Sequence, residues 1–353
     1  SILALELLKS KISVEMIDLG LKPEKIDNIF KNKNLMQIKQ NKNFDKFFFG
    51  KNFESIINYN DEDLFKISSY KKKNIKKKNF DNFNEVESYD IGGHSNSWGL
   101  NVHSFNHNDL SSWPNEFNDF ETYIKKALKY FNISGISDDL DLNYPINFIN
   151  SKCFTISDHD KLILQTYNSH KNYFYNNNFK MGTSRLAINM SNYNKDEIKK
   201  LWWVDPKNIG FNVGNSVLKK CFKFPNFSYQ PNKKVLHFDI SNNKAISVTF
   251  FDILKKRKYQ KKIVNLVLSA GAIGSGKILS NSIYIKNKYK IKLPIMDTNV
   301  LKIPFINFKM IFKEETVSTI PFNRIVSSYL IKNLDYPSSI HVEVMTFQNL
   351  LIN

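Results

Sequence analysis

Apolar and polar residues alternate with helical period at the start of the chain. Ser1 to Ser10, SILALELLKS, has apolar residues at 2, 3, 5, 7 and 8 and predicts a helix buried on most of its circumference. Lys11 to Gly20, KISVEMIDLG, predicts a strand through Val14, Met16 and Ile17, with Asp18 at its carboxyl end. From Leu21 to Asn84 the pattern dissolves into Lys and Asn, which predicts an insertion or long loop, with short helices around 22–38 and a solvated lysine run at Lys71 to Lys78. Asn118 to Phe131 returns to an i, i+3, i+4 pattern, a helix capped by Asn118 or Asp119 with its aromatics in the core. Lys195 to Trp203 predicts another helix. Met181 to Arg185 reads as a turn leading into a strand from Leu186 to Met190. Lys234 to Ile240 and Lys244 to Phe251 alternate around Ser241-Asn242-Asn243, the chemistry of a hairpin, and Ile263 to Leu268 should complete a three-stranded meander. Ile340 to Phe347 alternates as another strand.

The stretch with the most to say about chemistry is Asn265 to Ser280, NLVLSAGAIGSGKILS. It predicts a buried strand over Asn265 to Leu268, a small-residue turn and a helix. Ser269 to Gly276 holds three glycines and two alanines, so the backbone can approach a ligand and the helix amides can meet an anion. Gly271 to Lys277 fits G-x-x-x-x-G-K, but Ile278 stands where a P-loop needs a Ser or Thr hydroxyl for Mg²⁺. A crossover with no ligand is the plain alternative. In a dinucleotide-binding unit an acid at the end of the second strand accepts the ribose hydroxyls. Here the helix, that strand and Asp18 are present, while the first strand and its glycine fingerprint are not; alone, Asp18 would read as a solvated turn carboxylate. Ile91 to Leu100, IGGHSNSWGL, brackets Ser95, Asn96 and Ser97 between Gly92-Gly93 and Gly99, a turn suited to close ligand approach. His94, His103 and His107 invite a metal reading, but without a further ligand or a helix signal no zinc is expected.

Composition changes this picture little. The chain has 353 residues, 42% of them hydrophobic, enough for a real core. Its net charge of +18 would suit an anionic partner, yet the 51 basic residues include only Arg185, Arg257 and Arg324. Arg is the preferred reader of phosphates and base edges, so no nucleic-acid partner is expected. Cys153 and Cys221 stand far apart, which excludes a disulfide scaffold and fits a reducing, cytoplasmic setting. No run of about eighteen apolar residues predicts a membrane span.

Three blocks in order carry a resemblance. Ile17-Asp18-Leu19-Gly20 resembles the "LEAG" that ends the second strand in the glucose-methanol-choline (GMC) family of flavin oxidoreductases. Gly92 to Leu100 resembles that family's "GGSSxxNGM" contact with FAD, and, with Asp109-Leu110 and Trp113-Pro114, the "GGxSNxWG" and "WP" of a bacterial polysaccharide-biosynthesis-like branch. Val267 to Ser275 resembles its "LSAGAIGS". The resemblance implies an α/β fold, a Rossmann-like FAD-binding domain (1–135 and 213–285) with a second, sheet-based α+β substrate domain (136–212 and 286–353). It implies FAD held by Asp18, Gly92, Gly93, Ser95, Asn96, Gly99, Val235, Ala270, Gly271, Ala272 and Gly274, and a CH–OH group of a small alcohol or sugar oxidised by hydride transfer to the flavin. The family's "HxxGT" segment with the catalytic His is not found, and no residue is assigned that role. The expectation is therefore a fragment or degraded copy, catalytically silent and holding FAD weakly; a non-catalytic α/β interaction protein and a P-loop NTPase are the rival classes.

Overall fold

The computed structural model describes residues 1–21, 75–80, 83–96, 98, 100–103, 105, 110, 113–114, 119–142, 149, 152–190, 210–211, 213–295, 303, 305, 308, 325–331 and 338–344. Helix α1 (Ile2–Lys9) buries Ala4, Leu5 and Leu8, while Leu3 and Glu6 face solvent. It is thus buried along one stripe, not around most of its circumference. Lys11, with φ of 62°, turns the chain into strand β1 (Val14–Ile17).

Next come strands β2 (Ile75–Phe80) and β3 (Phe83–Ser88), an antiparallel hairpin. Lys76 to Lys78 therefore lie in a strand and not in the expected loop, because the hairpin ladder satisfies their backbone; the short helices expected at 22–38 lie outside the described residues. A 3-10 turn spans Gly93–Asn96. Helix α2 (Phe120–Leu128) follows Asp119, whose side chain makes no cap hydrogen bond. Only part of the expected aromatic core forms. Tyr123 is 62% exposed, whereas Phe120 packs against Phe105 and Trp113, and Phe131, beyond the helix, stacks on Phe211 at 3.8 Å.

Helix α3 (Asp158–Ser169) has a full capping box, Ser157 and Asp160 satisfying each other's backbone amides. Helix α4 (Lys171–Asn176) leads into β4 (Phe179–Thr183). This reverses the reading of Met181 to Arg185 as a turn before a strand. Met181 to Thr183 pair with a distant strand, whereas Leu186 and Ile188 make only isolated bridges. The helix expected at Lys195 to Trp203 lies outside the described residues.

A π-helical turn, Gly214–Leu218, runs into α5 (Lys219–Cys221). Strand β5 (Phe227–Gln230) pairs in parallel with β1, Val14 opposite Phe227 and Ile17 opposite Gln230. Strands β6 (Lys233–Ser241), β7 (Lys244–Asp252) and β8 (Arg257–Lys262) form the antiparallel meander. Asn242 and Asn243 both take positive φ, 46° and 59°, as a tight hairpin turn requires. The third strand is not the apolar 263–268 but the basic 257–262, which pairs in register with β7. Asn265 to Leu268 are neither strand nor buried: Val264 is 92% and Val267 57% exposed. Branched apolar residues make a strand only where a neighbour accepts their ladder, and after Ile263, whose amide bonds the Ile246 carbonyl, none of the described strands does.

Helix α6 (Gly271–Asn287) packs on β6. Strands β9 (Ile325–Ile331) and β10 (Ser338–Val344) form, with β4, an antiparallel sheet in the order β10-β9-β4. The result is a mixed α/β fold containing one parallel pair among the described strands. Its main core joins α1 through Leu5 and Leu8 to Leu100, Leu186, Ile188, Phe211 and Val217, each fully buried aliphatic contributing about 1.5–3 kcal/mol.

Candidate functional site

Asp18 stands at the carboxyl end of the parallel pair. Its amide bonds the Gln230 carbonyl at 3.0 Å, and its own carbonyl accepts the Lys233 amide at 2.9 Å. The Tyr229 hydroxyl donates to Oδ2 at 2.8 Å. Desolvation raises the Asp18 pKa, opposed by Tyr229 and by the Gly20 and Leu19 amides. The same burial and the adjacent carboxylate push the Tyr229 phenol up. Gly20 is required beside them: its φ is +49°, and a Cβ there would lie 2.3 Å from the Tyr229 hydroxyl.

From Asp18 the chain passes to the second block. Leu21 bridges Asp90 in parallel, its amide on the Tyr89 carbonyl and its carbonyl taking the Ile91 amide. Gly92 and Gly93 follow with φ of 94° and 55°, and a Cβ added at Gly93 would meet nothing within 4 Å. Ser95 gives its proton to the Gly92 carbonyl at 2.6 Å and accepts the Val213 amide at 3.0 Å, so it ties this turn to the π-helical turn. Asn96 closes the 3-10 turn, and Ser97 and Gly99 lie outside the described residues.

The third block arrives from the other side of the sequence. Gly271 opens α6 with φ of 75° and open space where a Cβ would stand. Ala270, the cap residue, makes no side-chain cap bond; its own amide is held by the Ser275 hydroxyl at 3.0 Å. Ala270, Gly271 and Ala272 are exposed, leaving the first-turn amides facing solvent. Gly274 is close to Glu87 on β3, whose carboxylate takes the Lys277 ammonium at 2.8 Å and the Tyr89 hydroxyl at 3.3 Å. Ile278 is buried. Val235 lies on β6 opposite Phe250, at a register irregularity two residues after Lys233, whose amide reaches Asp18. Asp18, Val235, Gly92-Gly93 and Gly271-Gly274 are thus linked by short runs of hydrogen-bonded chain.

Three partners were not legible beforehand: Tyr229, Glu87 and a titratable cluster where β10 meets residues 101–103. His103 lies against His341 with ring centroids 5.5 Å apart, and the Asn101 amide donates to Glu343 at 2.9 Å. Burial, then His341 and Arg185, push His103 down to about 4, and desolvation raises Glu343. The only trace in the sequence is the i, i+2 spacing of Asn101 with His103 and of His341 with Glu343, which puts each pair on one face of extended chain. His107 lies outside the described residues, and among those described no three His, Cys, Asp or Glu could hold a metal ion. Cys153 and Cys221 are free thiols, and burial pushes Cys153 up to about 11.

A separate network fixes the approach to β4. Arg185 is paired with Asp138 at 2.9 Å and Asp141 at 2.6 Å and also donates to the Thr183 carbonyl. Asp138 accepts the Thr183 amide at 2.8 Å, and Gly182 is needed because a Cβ would lie 2.3 Å from its carboxylate.

No family model matches the chain, and no curated protein does. Solved structures similar to it include pyridoxine 4-oxidase from Mesorbium loti, at 10% identity and a TM-score of 0.44, covering 74% of this chain and 45% of that one. A fungal aryl-alcohol oxidase matches at 11% identity and a TM-score of 0.40, over 56% of this chain and 35% of that one. An FAD-dependent oxidoreductase from Chaetomium thermophilum matches at 11% identity and a TM-score of 0.44, over 82% and 48%. The chain spans less than half the length of each of these structures, and likeness at such scores carries no argument about function by itself.

Proposed function

We propose that this chain belongs to an FAD-dependent oxidoreductase of the GMC type, resembling the polysaccharide-biosynthesis-like branch, that oxidises a CH–OH group of a small alcohol or sugar. The reading is supported by two observations: short runs of hydrogen-bonded chain link the stretches that hold Asp18, Gly92-Gly93, Val235 and Gly271-Gly274, and Gly93 and Gly271 have positive φ and open Cβ positions that leave room for a ligand. That arrangement fits FAD. Asp18 would accept the adenosine ribose hydroxyls and Val235 would present backbone to the adenine. Gly92, Gly93, Ser95, Asn96 and Gly99 would line one side of the cofactor, with Ala270, Gly271, Ala272 and Gly274 on the other. When bound, the flavin would supply the acceptor for the substrate's hydride. In this reading residues 1–135 and 213–285 make up the FAD domain. Residues 136–212 and 286–353 would form the substrate domain, a reading supported by the sheet in which β9 pairs with both β4 and β10.

The P-loop alternative is disfavoured by two positions. The Lys277 ammonium that would meet a phosphate is on Glu87, and Ile278, where a metal-holding hydroxyl is needed, is packed inside.

The test is flavin content. Protein purified with this chain at its natural length should carry the visible flavin bands or take up added FAD. Asp18→Asn should lower FAD affinity by about tenfold, the value of one hydrogen bond to a charged group. Its folded state at neutral pH should be no less stable, since a carboxylate with a raised pKa contributes stability below its unfolded pKa and loses it as pH rises through the folded value. A well-folded protein that neither carries nor takes up FAD would sink the reading, and ATP hydrolysis abolished by Lys277→Ala would replace it.

A further inference from the structure

The hairpin joining β7 to β8 has a feature its strands do not need. Its four-residue turn, 253–256, presents Leu254 at 73% and Ile253 at 37% exposure, followed by Lys255, Lys256, Arg257 and Lys258, all exposed. The backbone of the turn is fixed. Asp252 Oδ1 accepts the amides of Leu254 at 3.0 Å and Lys255 at 2.9 Å, and the Ile253 amide bonds the Asn232 carbonyl at 3.0 Å. Leu254 is therefore held in solvent by built hydrogen bonds. The one carboxylate of the turn is already neutralised, Asp252 lying 3.2 Å from the Lys233 ammonium. Across the ladder Lys258 and Lys234 flank Phe251 in one row, adding a fifth cation at the same end of the sheet.

Edge strands commonly carry lysines as protection against pairing with other chains, and that accounts for Lys258, Lys261 and Lys262. It does not account for two aliphatic side chains at the apex, nor for Lys255 and Lys256, which lie outside the ladder. Apolar residues at a tip ringed by cations match a surface with negative charge outside and hydrocarbon beneath. Nucleic acid fits less well: the apex has no aromatic side chain, and only one of its cations is Arg.

We propose that the β7–β8 hairpin docks on the surface of an anionic bilayer, Leu254 and Ile253 entering the headgroup boundary while Lys234, Lys255, Lys256, Arg257 and Lys258 meet the lipid charges. The docking is peripheral and independent of any cofactor.

Co-sedimentation with phosphatidylcholine vesicles, with and without phosphatidylglycerol, tests this. Binding is expected only to the anionic vesicles and should weaken as salt rises. Replacing Lys255 and Lys256 by Gln should weaken it by about twentyfold or more, near fivefold per cation, and flatten the salt dependence. Leu254→Ser should weaken it by about tenfold while leaving the salt dependence unchanged. The double variant Lys125→Gln, Lys126→Gln on α2 removes equal charge elsewhere and should bind as before. The proposal is overturned if that distant variant loses as much as the hairpin variant, if Leu254→Ser binds normally, or if the hairpin lysines are needed for binding poly(U) RNA while vesicles are ignored.

Discussion

Three glycines with left-handed backbone offer a contrast that separates packing from ligand space. Replacing Gly93 or Gly271 by Ala imposes only the cost of a side chain at φ of 55° or 75°, about 1–2 kcal/mol, because the new methyl meets nothing within 4 Å. At Gly20 the same backbone cost is joined by a collision 2.3 Å from the Tyr229 hydroxyl. Tyr229 must then leave Asp18, and a half-buried carboxylate that loses its donor costs about 1.5–3 kcal/mol more. Gly20→Ala should therefore destabilise by about 2.5–5 kcal/mol and the other two by about 1–2 kcal/mol, read from urea unfolding midpoints. Flavin content should follow a different order. Gly93→Ala and Gly271→Ala, though well folded, should lose FAD, since the methyl occupies space held open beside bare backbone. If both keep wild-type flavin content, the open space does not serve a ligand. If Gly20→Ala costs no more than Gly93→Ala, the packing argument around Tyr229 is wrong.

Stability should depend on pH through His103. Its folded pKa of about 4 lies below the unfolded value near 6.5, so the folded form binds fewer protons; its stabilisation is complete above pH 6.5 and is lost as pH falls towards 4. The loss is about 2–3 kcal/mol, and unfolding midpoints of His103→Gln should be flatter across that window; an unchanged slope would refute the assignment. Removing Asp138 should also be costly. Asp138→Ala strands the Thr183 amide and leaves Arg185 with Asp141 as its remaining carboxylate among those described, a loss of about 2–3 kcal/mol by urea unfolding. A cost under about 0.5 kcal/mol, the range of a neutral surface change, would show the network to be dispensable.

Elements whose signal is local were legible. The α1 helix, though not how narrowly it is buried, the β1 strand ending at Asp18 and the Asn242-Asn243 turn each depend on residues within a few positions of one another, which periodicity and turn chemistry report directly. The failures share a cause. Asn265 to Leu268 had the composition of a buried strand, but composition cannot say whether a neighbour is present to complete the ladder. Met181 to Arg185 looked like a turn, but its first three residues belong to a strand because β9 pairs with them. At the candidate site the glycines could be picked out because left-handed backbone restricts residue choice. Tyr229 and Glu87 could not, since a hydrogen bond to a carboxylate or an ammonium leaves no periodic mark.

The contact between Tyr229 and Asp18 joins residues 211 positions apart, and that between Lys277 and Glu87 joins residues 190 apart. During synthesis, then, the amino-terminal half of this site waits on the ribosome for most of the chain before its partners exist. At about 5–20 residues per second that delay is on the order of ten seconds or more. Throughout it β1 has no β5 beside it, and its unpaired edge is open to other chains. Contacts of such sequence separation also place the ordering of the site late and slow in folding. Translation speed and chaperone supply should consequently govern the yield of properly folded protein more strongly than the stability of the finished fold does.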